Sequence, residues 1–449
     1  AGANPEIRLP EIWQAELKNG IRVLGTQNTE TPTTSMALRM EAGQREESLD
    51  TLGIAALTAA MLNESTKLST NEELSDRLQK LGSSVSLGSG NNSATLNVRS
   101  LTDNLRPTLA IASERLLKPA FAEDDFGRVK AQTLQAIAQN KTQAESTAQL
   151  VFQKLVLGSE NTIAHLDIGT ERSIEKLMLS DVEDFYTRHY SPSSATLVIV
   201  SDLPKEKILT ELSVFGDWNG RAREPKTIES SPEINETRIF LVDKPNAAQS
   251  EIRIGGKGPH YDATGDYYRA GLANYVLGGA FNSRINLNLR EDKGYTYGAR
   301  LQFVGYKDYG MTVASTGVRT DVTAPSIVEL LKEIRGYVKE GITEEELIFL
   351  KNAIGQRDAR RFETPSQKVG FLGQMLIFDL PRTFIDQQGE ILKHITDLEL
   401  NAISQKYLNT DNMIIVVVGD QKTILPDLKK LGYPISIVDE TGQRTKEPT

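Results

Sequence analysis

The histidines set the first bound on what chemistry this chain can do. There are four, His165, His189, His260 and His394, and the nearest two lie 24 positions apart. Two imidazoles three or four residues apart on a helix would share a face and grip Zn²⁺, so neither H-x-x-E-H nor H-E-x-x-H is present. The chain has no cysteine, which removes thiolate ligands, thiolate nucleophiles and disulfides together. Serine, aspartate and histidine are all available, but no G-x-S-x-G elbow presents a serine for acyl transfer. Gly255-Gly256-Lys257-Gly258 lacks the G-x-x-x-x-G-K-[ST] spacing of a phosphate loop. Each histidine reads singly as a polar or capping residue. From spacing alone Arg290 reads as a solvated helix residue and Tyr297 as a strand residue packing on a sheet.

The elements that must position these residues come in two copies. Tyr190 opens a polar turn, a β-branched strand (195–200) and the stop Ser201-Asp202; Tyr407, 217 positions later, opens the same series, ending at Gly419-Asp420. The stretch 74–85, with Gly82 closing a helical pattern, is echoed by 285–297, where Gly294 does the same at an offset of 212. Each glycine stands where a helix gives way to alternating strand residues, the position of a C-terminal helix cap. Two echoes at nearly equal offset predict a duplication, with residues 1–222 and 236–449 as homologous halves and a polar, proline-bearing linker between them (223–236). The hairpin-like pairs 85–87 with 94–98 and 296–303 with 310–314 predict an α+β fold. In it each half is an antiparallel sheet with helices packed on one face.

Composition narrows the class. The chain has 449 residues, 39% hydrophobic and 25% charged, with a formal charge of −9. That is an ordinary globular balance, large enough to bury cores without staples, and it argues against nucleic acid as a partner. No apolar run is long enough to span a membrane. The opening Ala1-Gly2-Ala3-Asn4-Pro5 suits a mature chain freed of a secretion signal. The bacterial periplasm is therefore the expected compartment, with the cytoplasm as the alternative. Glu344-Glu345-Glu346 reads as an acidic helix start, and Phe362-Glu363-Thr364-Pro365 as a turn between helices or a kink.

Leu277-Gly278-Gly279-Ala280-Phe281-Asn282-Ser283-Arg284-Ile285, followed by Leu289-Arg290-Glu291 and Gly294-Tyr295-Thr296-Tyr297, resembles the second half of the pitrilysin/insulinase family. The likeness is strongest to its mitochondrial-processing-peptidase-like members. Val242-Asp243-Lys244-Pro245, Gln249-Ser250 and 341–347 add to it, and the Tyr190 strand resembles the family's first-half ending. The resemblance implies two halves forming half of a clamshell chamber. It also implies an inverted zinc motif, H-x-x-E-H, on the helix after Gly53, with a third ligand on a later helix. Here Ala56 and Ala60 stand at the two histidine positions, Ala59 at the glutamate and Ala136 at the third ligand. A methyl group neither ligates zinc nor moves a proton. What the resemblance leaves in place is Arg290 and Tyr297, implied to reach toward the substrate backbone and the oxyanion. Gly278 and Gly279 read either as a helix-terminal turn or as a loop beside the substrate path. The implied protein is the non-catalytic subunit of a heterodimeric zinc metallopeptidase, inactive alone. Its own chain carries no cofactor, and the zinc belongs to a homologous partner with which it shares a peptide chamber. The alternative is a structural scaffold like the core subunits of the respiratory cytochrome bc complex.

Overall fold

The computed structural model describes residues 9–221 and 224–445; Ala1 to Pro5 and the linker's Arg223 lie outside them. Among the described residues, twelve strands form two six-stranded sheets. The first contains β1 Ile12–Glu16, β2 Arg22–Gln27, β3 Thr33–Met40, β4 Ser84–Ser89, β5 Ala94–Leu101 and β6 Ala195–Ser201 in the order β1-β2-β6-β3-β5-β4. The second contains β7 Arg238–Asp243, β8 Gln249–Lys257, β9 Thr296–Gly305, β10 Gly310–Arg319, β11 Ile414–Gly419 and β12 Ile435–Val438 in the order β12-β7-β11-β8-β10-β9.

Five of the six positions match strand for strand. β2 and β6 run parallel, as do β7 and β11, and the pairs beyond them are antiparallel in both sheets. The parallel pairs follow from connectivity, because each joins strands separated by a long helical crossover. The sixth position differs. β1 comes from the N-terminal side and runs antiparallel to β2, whereas β12 comes from the C-terminal side and runs parallel to β7.

The chain divides into two compact units that do not follow the sequence halves. Unit 1 takes residues 1–138, 166–227 and 357–381; unit 2 takes 139–165, 228–356 and 382–449. Each half therefore gives one segment to the other's unit. In unit 1 the main core lies between one sheet face and helices α1 Ile54–Met61, α2 Asn71–Leu81 and α3 Leu105–Leu117; it joins Met36, Leu38, Leu96 and Ile199 to Leu57, Met61, Leu109 and Ile111. The opposite face, at β2, β3 and β6, is covered by the helix Pro365–Phe378 from the C-terminal half. Two further helices, α4 Glu123–Thr142 and α5 Ala144–Leu157, follow α3. In unit 2, Ile239, Leu241, Ile415 and Val417 face helices such as Thr323–Glu340. The intervening Phe240, Val242, Val416 and Val418 face α5, through Ala148, Val151, Phe152 and Val156. Covering on both faces explains why β6 and β11 read as unbroken apolar runs rather than as alternating strands.

Local signals fix the elements. Gly82 and Gly294 both hold left-handed conformations, with φ of 58° and 61°. Thr364 caps the helix Pro365–Phe378 in a capping box with Gln367, with Pro365 in the first turn, where its missing N–H costs nothing. Glu344 opens the helix Glu344–Ala359. Among the described residues no helix is long and apolar enough to cross a membrane.

Candidate functional site

α1 is held firmly in place. Gly53 precedes it at φ +91°, where a Cβ would lie 2.6 Å from the carbonyl oxygen of Ile168. Glu47 then accepts the first-turn N–H groups of Gly53 at 3.0 Å and Ala55 at 2.9 Å. At the other end Asn63 donates to the carbonyls of Ala59 (3.0 Å) and Leu87 (2.8 Å) and accepts the Leu87 N–H at 2.8 Å, tying the helix to β4. Ala56 and Ala60, one turn apart, are half-buried on this helix, and Ala59 is buried. Ala136 is half-buried on α4. At the positions where the family resemblance expects the inverted zinc motif and its third ligand, these four methyl groups offer no donor to a zinc ion. Among the described residues no three His, Asp or Glu side chains gather into a group able to hold a metal.

The histidines have ordinary local roles. His189 is buried against the Phe185 ring at 4.5 Å, its Nδ1 4.0 Å from Glu46. His165 meets the Ser159 carbonyl at 2.8 Å, and burial lowers its pKa. His394 pairs with Glu390 one turn back, and His260 is exposed.

The second-half residues converge on one cavity of about 550 Å³ in unit 2. The helix Asp266–Asn274 runs on into a π-helical turn, Tyr275–Gly279, and a second π-helical turn spans Leu287–Asp292. Such turns interrupt regular helix most often where function intervenes. Gly278 packs so closely on β9 that a Cβ would meet Leu301 at 2.6 Å, and neither Gly278 nor Gly279 has a positive φ. Their role is close approach and cavity lining rather than a left-handed cap. Asn286, buried, donates to the Phe281 carbonyl at 2.8 Å and accepts the Ala299 N–H at 3.0 Å, binding this loop to β9.

Gly294, at positive φ, lies between Arg290 and Tyr297 in a turn closed by the Tyr295 N–H donating to Leu289 O at 2.9 Å. Tyr297 lines the cavity with 92% of its surface exposed. Arg290 sits one layer away, its guanidinium 4.5 Å from the centroid of Phe281 and its Nε 3.5 Å from Glu291. Phe281, itself exposed and lining the cavity, links the two. The structure thus brings Gly278, Gly279 and Tyr297 to one cavity, while Arg290 packs on Phe281 outside its lining.

Sequence reasoning missed the cavity's floor. Glu251 and Arg253 on β8 and Glu145 on α5 line it. In the sequence Glu251 and Arg253 are neighbours two apart on one strand, and Glu145 lies in an unrelated segment. The one local hint is a lone arginine between Ile252 and Ile254, which marks a charge on a strand otherwise built for burial. The motif arginine Arg284 serves the fold instead. It grips Glu346 through two bonds of 2.5–2.6 Å and stacks on Tyr337 at 4.9 Å.

A duplicated sheet-and-helix fold frames this cavity. Residues 22–162 match the family model described as insulinase, peptidase family M16, and residues 176–354 match the peptidase M16 inactive domain. The chain belongs to this M16 insulinase family. It is 22% identical over 416 residues to the non-peptidase homolog YmxG of Helicobacter pylori, covering 92% of this chain and 94% of that one. It is 20% identical over 331 residues to the uncharacterized zinc protease YmxG of Bacillus subtilis, covering 74% and 79%. A crystal structure of a peptidase M16 inactive domain from Pseudomonas fluorescens superposes with a TM-score of 0.84 at 25% identity, over 91% of this chain and 98% of that one.

Proposed function

We propose that this chain is the zinc-free subunit of a heterodimeric zinc metallopeptidase of the periplasm. In this reading it lends Arg290 and Tyr297 to a peptide chamber shared with a zinc-bearing homologue. The observation that carries the reading is the division of residues. Alanines stand at the four positions where the family resemblance expects ligands and base, while Tyr297 is 92% exposed and lines a cavity in the other half. An exposed phenol beside an arginine propped on an aromatic ring can donate to a peptide carbonyl or oxyanion, provided that another chain supplies the nucleophile. The zinc belongs to the partner; in this chain no step is routed through a metal.

The test is reconstitution. The isolated chain should bind no stoichiometric zinc and cut no peptide, and the mixture with a zinc-motif homologue from the same organism should cut. Arg290→Ala and Tyr297→Phe should leave association intact, as seen by gel filtration, and lower turnover about 10²–10³-fold, the usual loss for one oxyanion donor. Loss chiefly in KM would assign them to ground-state binding instead. Activity within about twofold of wild type for both variants, at matched zinc content, would overturn the reading, because that is far below the expected loss.

A further inference from the structure

The unit 2 sheet carries a charged pair where its twin carries none. On β8, Glu251 pairs with Val418 and Arg253 with Val416 of β11. On β3, Ser35 pairs with Val200 and Ala37 with Val198 of β6. With Ser201-Asp202 and Gly419-Asp420 ending the equivalent strands, Glu251 corresponds to Ser35 and Arg253 to Ala37. The same topology therefore closes with a serine and an alanine and does not require a buried ion pair at this place. Such pairs are seldom a net gain over apolar packing, since desolvation of the two charges offsets their attraction.

The guanidinium of Arg253, 4% exposed, nonetheless lines the cavity. Its Nη1 donates to Glu251 and to the Ile252 carbonyl, both at 3.0 Å. Its Nη2 lies 3.8 Å from Glu145, beyond hydrogen-bond reach. Gly317 makes room for the arrangement, since a Cβ there would sit 2.5 Å from a Glu251 oxygen. Arg300 and the hydroxyls of Ser315 and Thr316 line the same space. Its volume of about 550 Å³ falls within the ~300–1,000 Å³ of small-ligand pockets.

We propose that this cavity binds a carboxylate of a peptide, with Arg253 as the anchor. That the ligand is a peptide rests on the shared-chamber reading; that it is an anion rests on the cavity. A cation would have to rely on Glu145, whose side chain is 72% exposed and so gains little from a partner, because Glu251 is already engaged. A carboxylate meets a buried, forked donor, where charge-assisted bonds are strongest. The carboxylate is either an acidic side chain or a C-terminus.

The experiment measures fluorescence anisotropy of the isolated chain with three short labelled peptides. One has a glutamate and an amidated end, one a glutamine and a free end, and one a glutamine and an amidated end. At least one carboxylate peptide should bind about tenfold tighter than the neutral one, and which one does so names the source. Arg253→Gln should abolish the preference. Glu251→Gln should strengthen it several-fold by releasing the guanidinium from its internal competitor, and this arm decides the matter if Arg253→Gln does not fold. Equal binding of all three peptides, no saturable binding, or a preference unmoved by Glu251→Gln would overturn the proposal. Because no zinc subunit is present, the result stands apart from the reconstitution assay: turnover unaffected by Arg290→Ala and Tyr297→Phe would sink the catalytic reading and leave this preference as measured.

Discussion

Raising the pH from 5 to 9 drives a negative charge onto Glu47, and the position of that carboxyl sets what unit 1 loses. The side chain is 2% exposed, and burial outweighs the hydrogen bonds from Ala55 and Gly53, pushing its pKa up from 4.5 to about 8. A folded-state pKa above the unfolded value means that the folded protein keeps a proton the unfolded chain has released. The stability this contributes is present in full below about pH 4.5, falls as pH rises, and is gone above about pH 8. The steepest slope is about 1.4 kcal/mol per pH unit, so the whole interval is worth at most roughly 4–5 kcal/mol. Glu47→Gln keeps the shape and removes the titration. Its single acceptor oxygen faces two N–H groups, so at pH 5 the variant should be less stable by about 1–2 kcal/mol. At pH 9 the order should reverse. Both tryptophans, Trp13 and Trp218, lie in unit 1, so their fluorescence follows the unfolding of the unit that holds Glu47. Urea titrations at pH 5, 7 and 9 and fixed ionic strength give the comparison. Parallel pH dependence of the two proteins would refute the burial argument. A wild type that gains on the variant as pH rises would show that the two N–H bonds dominate instead.

Thr364→Ala removes the Oγ1 that accepts the Gln367 N–H at 3.2 Å and should cost about 1 kcal/mol. The loss should appear in tryptophan fluorescence of unit 1, although residue 364 belongs to the C-terminal half. Gly278→Ala drives a methyl against Leu301 and should lower the stability of unit 2 by about 1–3 kcal/mol in calorimetry. Gly271→Ala, on the same helical stretch with nothing within 4 Å of the added Cβ, should raise it by about 0.5–1 kcal/mol.

Much of this architecture is legible in the amino-acid order. The Tyr190 and Tyr407 echoes became β6 and β11, Gly82 and Gly294 share a left-handed backbone, and both expected hairpins formed. Which sheet a helix covers was not readable. α5 and the helix Pro365–Phe378 show apolar faces and turn signals like any other, and periodicity names a buried face without naming what buries it. The π-helical turns escaped because a single wider turn is too short to set a period of its own. Arg253 escaped because its meaning lies in Ala37 at the matching place of the other sheet, a comparison that needs strand register.

The reciprocal gift of segments 139–165 and 357–381 bears on how the chain is made. A ribosome releases the strands of the first sheet by residue 201, yet the helix that closes its second face arrives only with residues 365–378. Until then that face waits uncovered, and α5 is already committed to a sheet not yet synthesised. A gene cut at the linker would yield two fragments, each bearing the other's lid. Mixed together they should reassemble, whereas either alone would present a bare apolar sheet face to solvent and to its own copies.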